Sequence, residues 1–121
     1  MPMTWALNAV KRRIEVTVTM PYTRDGARAV ATAIASARGY EPKYPFLIDT
    51  FGPVSGSFVQ DIAAFFVTHR EKFSGARVAV VLKLDSTVER YQDRELEAAD
   101  LPVTLRVFRN YRSAERWLSE E

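Results

Sequence analysis

Cysteine is absent from this sequence of 121 residues, and histidine occurs once, as His69. The absence of cysteine excludes disulfides, thiol catalysis and cysteine-ligated metal, and it is typical of a cytoplasmic protein. The single histidine falls in the last turn of a predicted helix, where positive charge complements the helix dipole. We therefore expect a surface role for His69 and predict no metal site.

Several familiar motifs are missing as well. No apolar run is long enough to cross a bilayer, so stable membrane insertion is not expected, and residues 1–10 lack the pattern of a signal peptide. The five glycines form neither a GxGxxG motif nor a P-loop, and the sequence has no GxSxG or HExxH motif. Asp49 has no evident acid or base partner, and we expect it to accept hydrogen bonds from N–H groups of a turn. No cofactor is predicted, and we expect a protein that is not an enzyme.

The composition is that of one globular domain covering residues 1–121, with 47% hydrophobic and 26% charged residues. Seventeen basic and fifteen acidic side chains give a net charge of +2. These charges are interspersed, apart from a cluster at Lys11, Arg12 and Arg13. Because the cluster is small, we interpret it as a solvated hairpin tip and predict no nucleic-acid binding.

Hydrophobic periodicity predicts the order ββαβαβαβα. Residues 5–10 and 14–20 form a hairpin, and the second strand alternates between an apolar and a wet face. Residues 46–49 and 76–84 are apolar on successive positions, which is typical of strands covered on both faces. Four helices are predicted, from Thr23 to about Arg38, from Ser57 to about His69, from Ser86 to about Ala99, and from Asn110 onward. Helices that alternate with strands imply parallel crossovers, so we expect an α/β fold with a mixed five-stranded sheet and four helices.

Residues 46–67 form the segment most relevant to function, a strand followed by a Gly/Pro/Ser turn and a helix. Binding sites in open α/β sheets cluster where the carboxyl end of a strand meets the next helix. Ser57 precedes Gln60 by three residues, the spacing of a capping box. Ser57, and with less support Ser55, is a candidate phosphoacceptor because free N–H groups at a helix start stabilise a phosphate. The alternative is that Ser57 only caps the helix.

Three segments resemble the SpoIIAA-like (STAS-like) family of small bacterial proteins. They are FLID at residues 46–49 before a serine-entered helix, AVVLK at 79–83, and VFRNYRSAERWL at 107–118. The resemblance covers the whole chain. It implies a β-α superhelix, shared in outline with anti-sigma factor antagonists, with the STAS modules of anion transporters and with Sec14-type lipid-binding domains. The antagonists carry a phosphorylatable serine at the start of the second helix, usually after an aspartate that is absent from residues 54–58 here.

The first hypothesis is a non-enzymatic STAS-like regulatory or protein-interaction module, switched at a serine at the start of the second helix. Its partner would contact the turn after the central strand and the exposed side of the following helix. The predicted partner-binding residues are Thr50, Gly52, Ser55, Ser57, Gln60 and Asp61.

The alternative hypothesis is a binder of a small apolar or amphipathic, lipid-like molecule, peripheral to a membrane. In this hypothesis the aromatic stripe of the second helix lines the binding site. The other interpretation is that these side chains belong to the ordinary hydrophobic core. The predicted contacts are Phe58, Ile62, Phe65, Phe66 and Tyr91. Under either hypothesis the edge of the N-terminal hairpin leaves a homodimer open.

Overall fold

The computed structural model describes residues 3–19, 23–41, 43–51, 58–73, 75–82 and 102–119. The five strands are β1 (Met3–Asn8), β2 (Arg13–Thr19), β3 (Phe46–Phe51), β4 (Arg77–Val81) and β5 (Thr104–Phe108). The helices are α1 (Arg24–Ala35), α2 (Phe58–Thr68) and α3 (Tyr111–Leu118). The described residues thus contain three helices where four were predicted, and the helix expected after Ser86 falls on residues outside this description.

The strands form one mixed sheet in the chain order β1-β2-β3-β4-β5, which confirms the predicted α/β class. β1 runs antiparallel to β2, whereas β2, β3, β4 and β5 are mutually parallel. β3 is therefore the central strand, as its apolar run predicted. Phe46, Leu47 and Ile48 are all buried, because helices cover both faces of the sheet at this strand.

One face of the sheet packs against α1 and α2. Ile14, Val16 and Val18 of β2 point to this face, which confirms the alternation predicted for that strand. The centre of the packing is aromatic, since the ring of Phe46 lies 5.1 Å from that of Phe66 and 5.4 Å from that of Phe73, both edge to face. Edge-to-face rings place the positive edge of one on the negative face of the other, which favours a single arrangement of the core.

The opposite face packs against α3, whose buried residues are Ala114 and Trp117. The predicted cap is confirmed, because Asn110 Oδ1 accepts a hydrogen bond from the Ser113 N–H at 2.8 Å. Arg77 secures the far end of the helix by donating to the Trp117 carbonyl at 2.9 Å while lying over its indole ring. α3 thus covers β3, β4 and β5.

The first helix is shorter than predicted and ends at Ala35 instead of near Arg38. Its start is as expected, with Thr23 Oγ1 accepting from the Gly26 N–H at 3.0 Å. At the other end the Ala37 N–H bonds to the Ile34 carbonyl, three residues back, so the chain tightens into turns. Gly39, with φ of +89°, then reverses the chain towards β3.

Candidate partner-binding surface

Much of the predicted docking turn lies outside the described residues. Gly52, Ser55 and Ser57 belong to residues 52–57, and the side chain of Gln60 is likewise outside the description. α2 begins at Phe58, directly after Ser57 in the chain. The assignments of Ser57 and Ser55 as phosphoacceptors therefore stay predictions, as does the capping box.

Thr50 is a correction to the predicted partner-binding set. Its side chain is buried, with 1% of the residue exposed, and its hydroxyl donates to the Val81 carbonyl of β4 at 2.6 Å. Thr50 lies on the same side of β3 as Phe46 and Ile48, where α1 and α2 cover the sheet. Its side chain links two strands and is not presented to a partner.

Two neighbours of Thr50 point to the opposite face. Asp49 is half-buried, whereas Phe51 is 51% exposed at the carboxyl end of the central strand. The expectation that Asp49 binds N–H groups of the following turn involves residues outside the description. Phe51 places exposed aromatic surface directly before the predicted docking turn.

The predicted aromatic stripe of α2 divides between core and surface. Ile62 and Phe66 are 3% and 4% exposed and belong to the main core, while Phe65 is partly buried against it. The side chain of Phe58 and the whole of Tyr91 lie outside the described residues. Two of the five residues proposed to contact an apolar ligand are therefore ordinary core positions in this structure.

The apolar space next to these residues is small. A cavity of about 30 Å³ lies between the sheet and the two helices, with Phe46, Phe65 and Phe66 in its lining. A volume of this size accommodates about one water-sized group, whereas small-molecule sites typically enclose about 300 to 1,000 Å³. Within the described part of the chain, the core is filled behind α2.

An open groove runs between α1 and α2 on the outer side of the domain, with a volume of about 460 Å³. We call it the α1–α2 groove. The predicted partner residue Asp61 and the ligand candidate Phe65 both line it, so the structure brings together one residue from each hypothesis. The full lining is Arg28, Thr32, Asp61, Ala64, Phe65, Thr68 and His69.

His69 forms one end of the α1–α2 groove, directly after the last residue of α2. It is half-buried, and its ring lies edge-on to Phe73 with centroids 5.9 Å apart. In the described ranges, no three His, Asp or Glu side chains come together where they could hold a metal ion. His69 thus contributes a polar edge to a mixed surface.

The sequence-based interpretation of the basic cluster needs correction at one residue. Lys11 and Arg12 are exposed in the β1–β2 turn, but Arg13 is the first residue of β2 and is only 3% exposed. Its Nη2 donates to Glu15 Oε2 and to Glu115 Oε2, each at 2.7 Å. The two carboxylates compensate the positive charge of Arg13, which is why this guanidinium is tolerated at a buried position.

The ion pairs of Arg13 connect the hairpin to α3. Lys11 Nζ donates to the same Glu115 oxygen at 2.9 Å, and Arg13 Nη2 also lies 3.1 Å from the Tyr111 hydroxyl. Burial opposes the charge of Arg13, but the hydrogen bonds to Glu115 and Glu15 outweigh it and raise the pKa of the guanidinium. Hydrogen bonds from Arg13 and Lys11 lower the pKa of Glu115. Both groups are therefore ionised at neutral pH.

The sequence predicted only that Glu15 lies on the polar face of β2. Arg13 was assigned to the turn, but as the first residue of β2 it lies two residues before Glu15 and therefore shares its face. The contact with Glu115 had no sequence signal, because 102 positions separate it from Arg13. For the same reason, no sequence signal pointed to Tyr111, Arg112 or Arg116.

The described part of the chain contains no helix with the length and hydropathy needed to cross a bilayer. β1 forms one edge of the sheet, and the homodimer contact that the sequence leaves open would lie there. Comparison with models of protein families, with curated proteins and with solved structures found no match.

Proposed function

We propose that this chain is a non-enzymatic STAS-like regulatory module that binds a protein partner. The docking surface is the α1–α2 groove together with the turn that precedes α2. The observation that carries the proposal is this groove, whose lining contains the predicted partner-binding residue Asp61.

The strand order supports the STAS-like part of the proposal. A β-α superhelix places successive parallel strands side by side, and β2, β3, β4 and β5 are parallel neighbours in chain order. α1 and α2, the two described helices that connect them, lie on the same face. This arrangement is compatible with the β-α superhelix that the family resemblance implies.

The lining of the α1–α2 groove suits a polypeptide segment. Ala64 and Thr68 are exposed and small, so a partner backbone can approach α2 closely. Arg28 and Asp61 add charges of opposite sign, which select the orientation of a bound segment. Phe65 contributes partly buried aromatic surface of the kind that anchors interfaces.

The apolar-ligand alternative has less support. The apolar cavity next to α2 has a volume of about 30 Å³, far below that of a lipid-like molecule, and the larger groove has the charged or polar residues Arg28, Asp61 and His69 in its lining. The side chain of Phe58 and the whole of Tyr91 lie outside the described residues, so their part in this alternative stays a prediction.

A serine switch fits the same surface. Ser57 stands four residues before Asp61, and Asp61 lies in the first turn of α2 and in the groove lining. A phosphate on Ser57 would add nearly two negative charges close to Asp61. The added negative charge would disfavour an acidic partner segment and alter capture.

The decisive experiment compares two identical substitutions on exposed alanines. Ala64→Arg places a long charged side chain in the groove, whereas Ala33→Arg makes the same change on α1 outside the groove lining. Arginine and alanine are both good helix formers, so neither variant should unfold. We expect affinity capture from the source organism, quantified by mass spectrometry, to recover a partner with wild type and Ala33→Arg and to lose it with Ala64→Arg.

Equal capture by the two arginine variants would contradict the groove as the docking surface. The switch is tested separately with Ser57→Asp and Ser57→Ala. We expect Ser57→Asp to weaken capture and Ser57→Ala to preserve it. Equal partner capture by Ser57→Asp and Ser57→Ala would contradict the serine switch without contradicting the groove as the docking surface.

A further inference from the structure

A second groove lies at the amino ends of β2 and β3, on the face covered by α3. Arg13 and Pro45 line it just before the paired residues Ile14 and Phe46. We call it the basic groove, and its volume is about 510 Å³. Its lining residues are Lys11, Arg13, Pro45, Arg112, Glu115, Arg116, Leu118 and Ser119. Because it lies on the other face of the sheet, it is separate from the α1–α2 groove.

The basic groove concentrates positive charge. Its lining has four cationic side chains and one carboxylate, an excess of three positive charges, while the whole chain has a net charge of +2. Glu15 also binds Arg13, and counting it still leaves an excess of two. The carboxyl end of α3 contributes about half a negative charge, which is too little to cancel this excess.

The five charged residues of the groove have different roles. Arg13 is buried and fully engaged with Glu15, Glu115 and Tyr111, so it is a structural element of the wall. Lys11 keeps 52% of its side chain exposed while its amino group is held by Glu115. The network thus positions one cation at the rim of the groove without neutralising the others.

Arg112 and Arg116 supply the available charge. Both are exposed, and their spacing of four residues puts them on the same side of α3. In the ranges that the structure covers, neither makes an ion pair with a carboxylate. Two like charges at this spacing repel each other, and an anion bound between them would relieve that repulsion.

We propose that the basic groove binds the phosphate group of a small phosphorylated molecule. Arg112 and Arg116 donate to the phosphoryl oxygens with their planar guanidinium groups, which match phosphate in two-pronged contacts. Lys11 adds a third cation at the rim, and Leu118 and Pro45 provide apolar contact for the remainder of the ligand. The volume of the groove is within the range of small-molecule sites.

The test uses inorganic phosphate as the probe, titrated into the full chain at physiological ionic strength and followed by amide NMR shifts. We expect saturable shifts at residues 11–13 and 111–119. Arg112→Gln/Arg116→Gln should weaken phosphate binding by roughly tenfold or more, since charge-assisted hydrogen bonds are removed. The matched control is Arg38→Gln/Lys72→Gln, which removes two exposed positive charges outside the groove and should leave binding unchanged.

Three results would overturn the proposal. An equal loss of phosphate affinity in both double variants would mean that phosphate binding depends only on the net charge of the protein. Binding to phosphatidylcholine vesicles containing phosphatidic acid, without saturable binding of free phosphate, would assign the surface to a lipid headgroup. Tighter binding of an oligoglutamate peptide than of phosphate, through the same residues, would assign it to an acidic protein segment.

Discussion

Arg13 Nη2 lies 2.7 Å from Glu115 Oε2, and this ion pair joins the start of β2 to the middle of α3 across 102 positions of sequence. The Arg13 side chain is 4% exposed, whereas that of Glu115 is 34% exposed. A nearly buried guanidinium thus depends on a partly exposed carboxylate. The pair also holds together the wall of the basic groove.

We expect Glu115→Gln to lower the free energy of unfolding by about 1 to 2 kcal/mol, because Arg13 would lose one of two carboxylate partners at a buried position. This loss is smaller than the full cost of breaking a buried ion pair, because Glu15 still binds Arg13 and Glu115 is partly exposed. Urea denaturation measures the change. Glu71→Gln, at an exposed position, is the control and should change stability by less than about 0.5 kcal/mol. Equal stability of the two variants would contradict a role for the pair in stability.

The same carboxylate predicts a pH dependence. Hydrogen bonds from Arg13 and Lys11 hold the pKa of Glu115 below its ordinary value of 4.5 in the folded protein. A lowered folded pKa contributes stability that is present above pH 4.5 and is lost as the pH falls through the folded pKa. The stability difference between wild type and Glu115→Gln should therefore be constant near neutral pH and shrink in acid. Denaturation curves collected between neutral pH and the acid range test this, and a pH-independent difference would contradict it.

Thr50→Val should cost about 1 kcal/mol, because it removes the hydroxyl that donates to the Val81 carbonyl at 2.6 Å while keeping the shape of the side chain. Thr50→Ser retains the hydroxyl and is the matched control for the hydrogen bond. Since Thr50 is buried, neither substitution should change partner capture once the proteins are folded. Loss of capture by folded Thr50→Val would restore Thr50 to the docking surface.

Gly75→Ala should destabilise the protein by about 1 kcal/mol, because Gly75 has φ of +84°, where alanine is strained. A Cβ atom there would meet only the side chain of Lys43, at 3.8 Å or more, so the cost comes from the backbone and not from crowding. Gly75→Asn is the informative comparison, since asparagine tolerates this conformation better. Thermal unfolding should rank glycine above asparagine and asparagine above alanine. An alanine variant as stable as wild type would contradict the assigned conformation.

The sequence by itself determined the elements that local patterns encode. The apolar run at Phe46, Leu47 and Ile48 predicted the central strand, and the alternation from Ile14 to Val18 predicted which side of β2 is buried. The capping role of Asn110 also followed from local chemistry, because a cap bonds to N–H groups two or three residues ahead. Each of these features depends on neighbours within one or two turns of chain, so a single sequence carries the signal.

Only the tertiary structure decided where the surfaces lie. Thr50 is buried because β4 lies beside β3, and Arg13 is buried because α3 returns across the sheet to meet it. The basic groove likewise combines Lys11 with Arg112 and Arg116, which lie about a hundred positions further along the chain. No periodicity links such distant residues, since their proximity follows from the order and direction of the strands. The physical reason is that burial and electrostatic potential are properties of the assembled sheet and helices, whereas local propensity is a property of short segments.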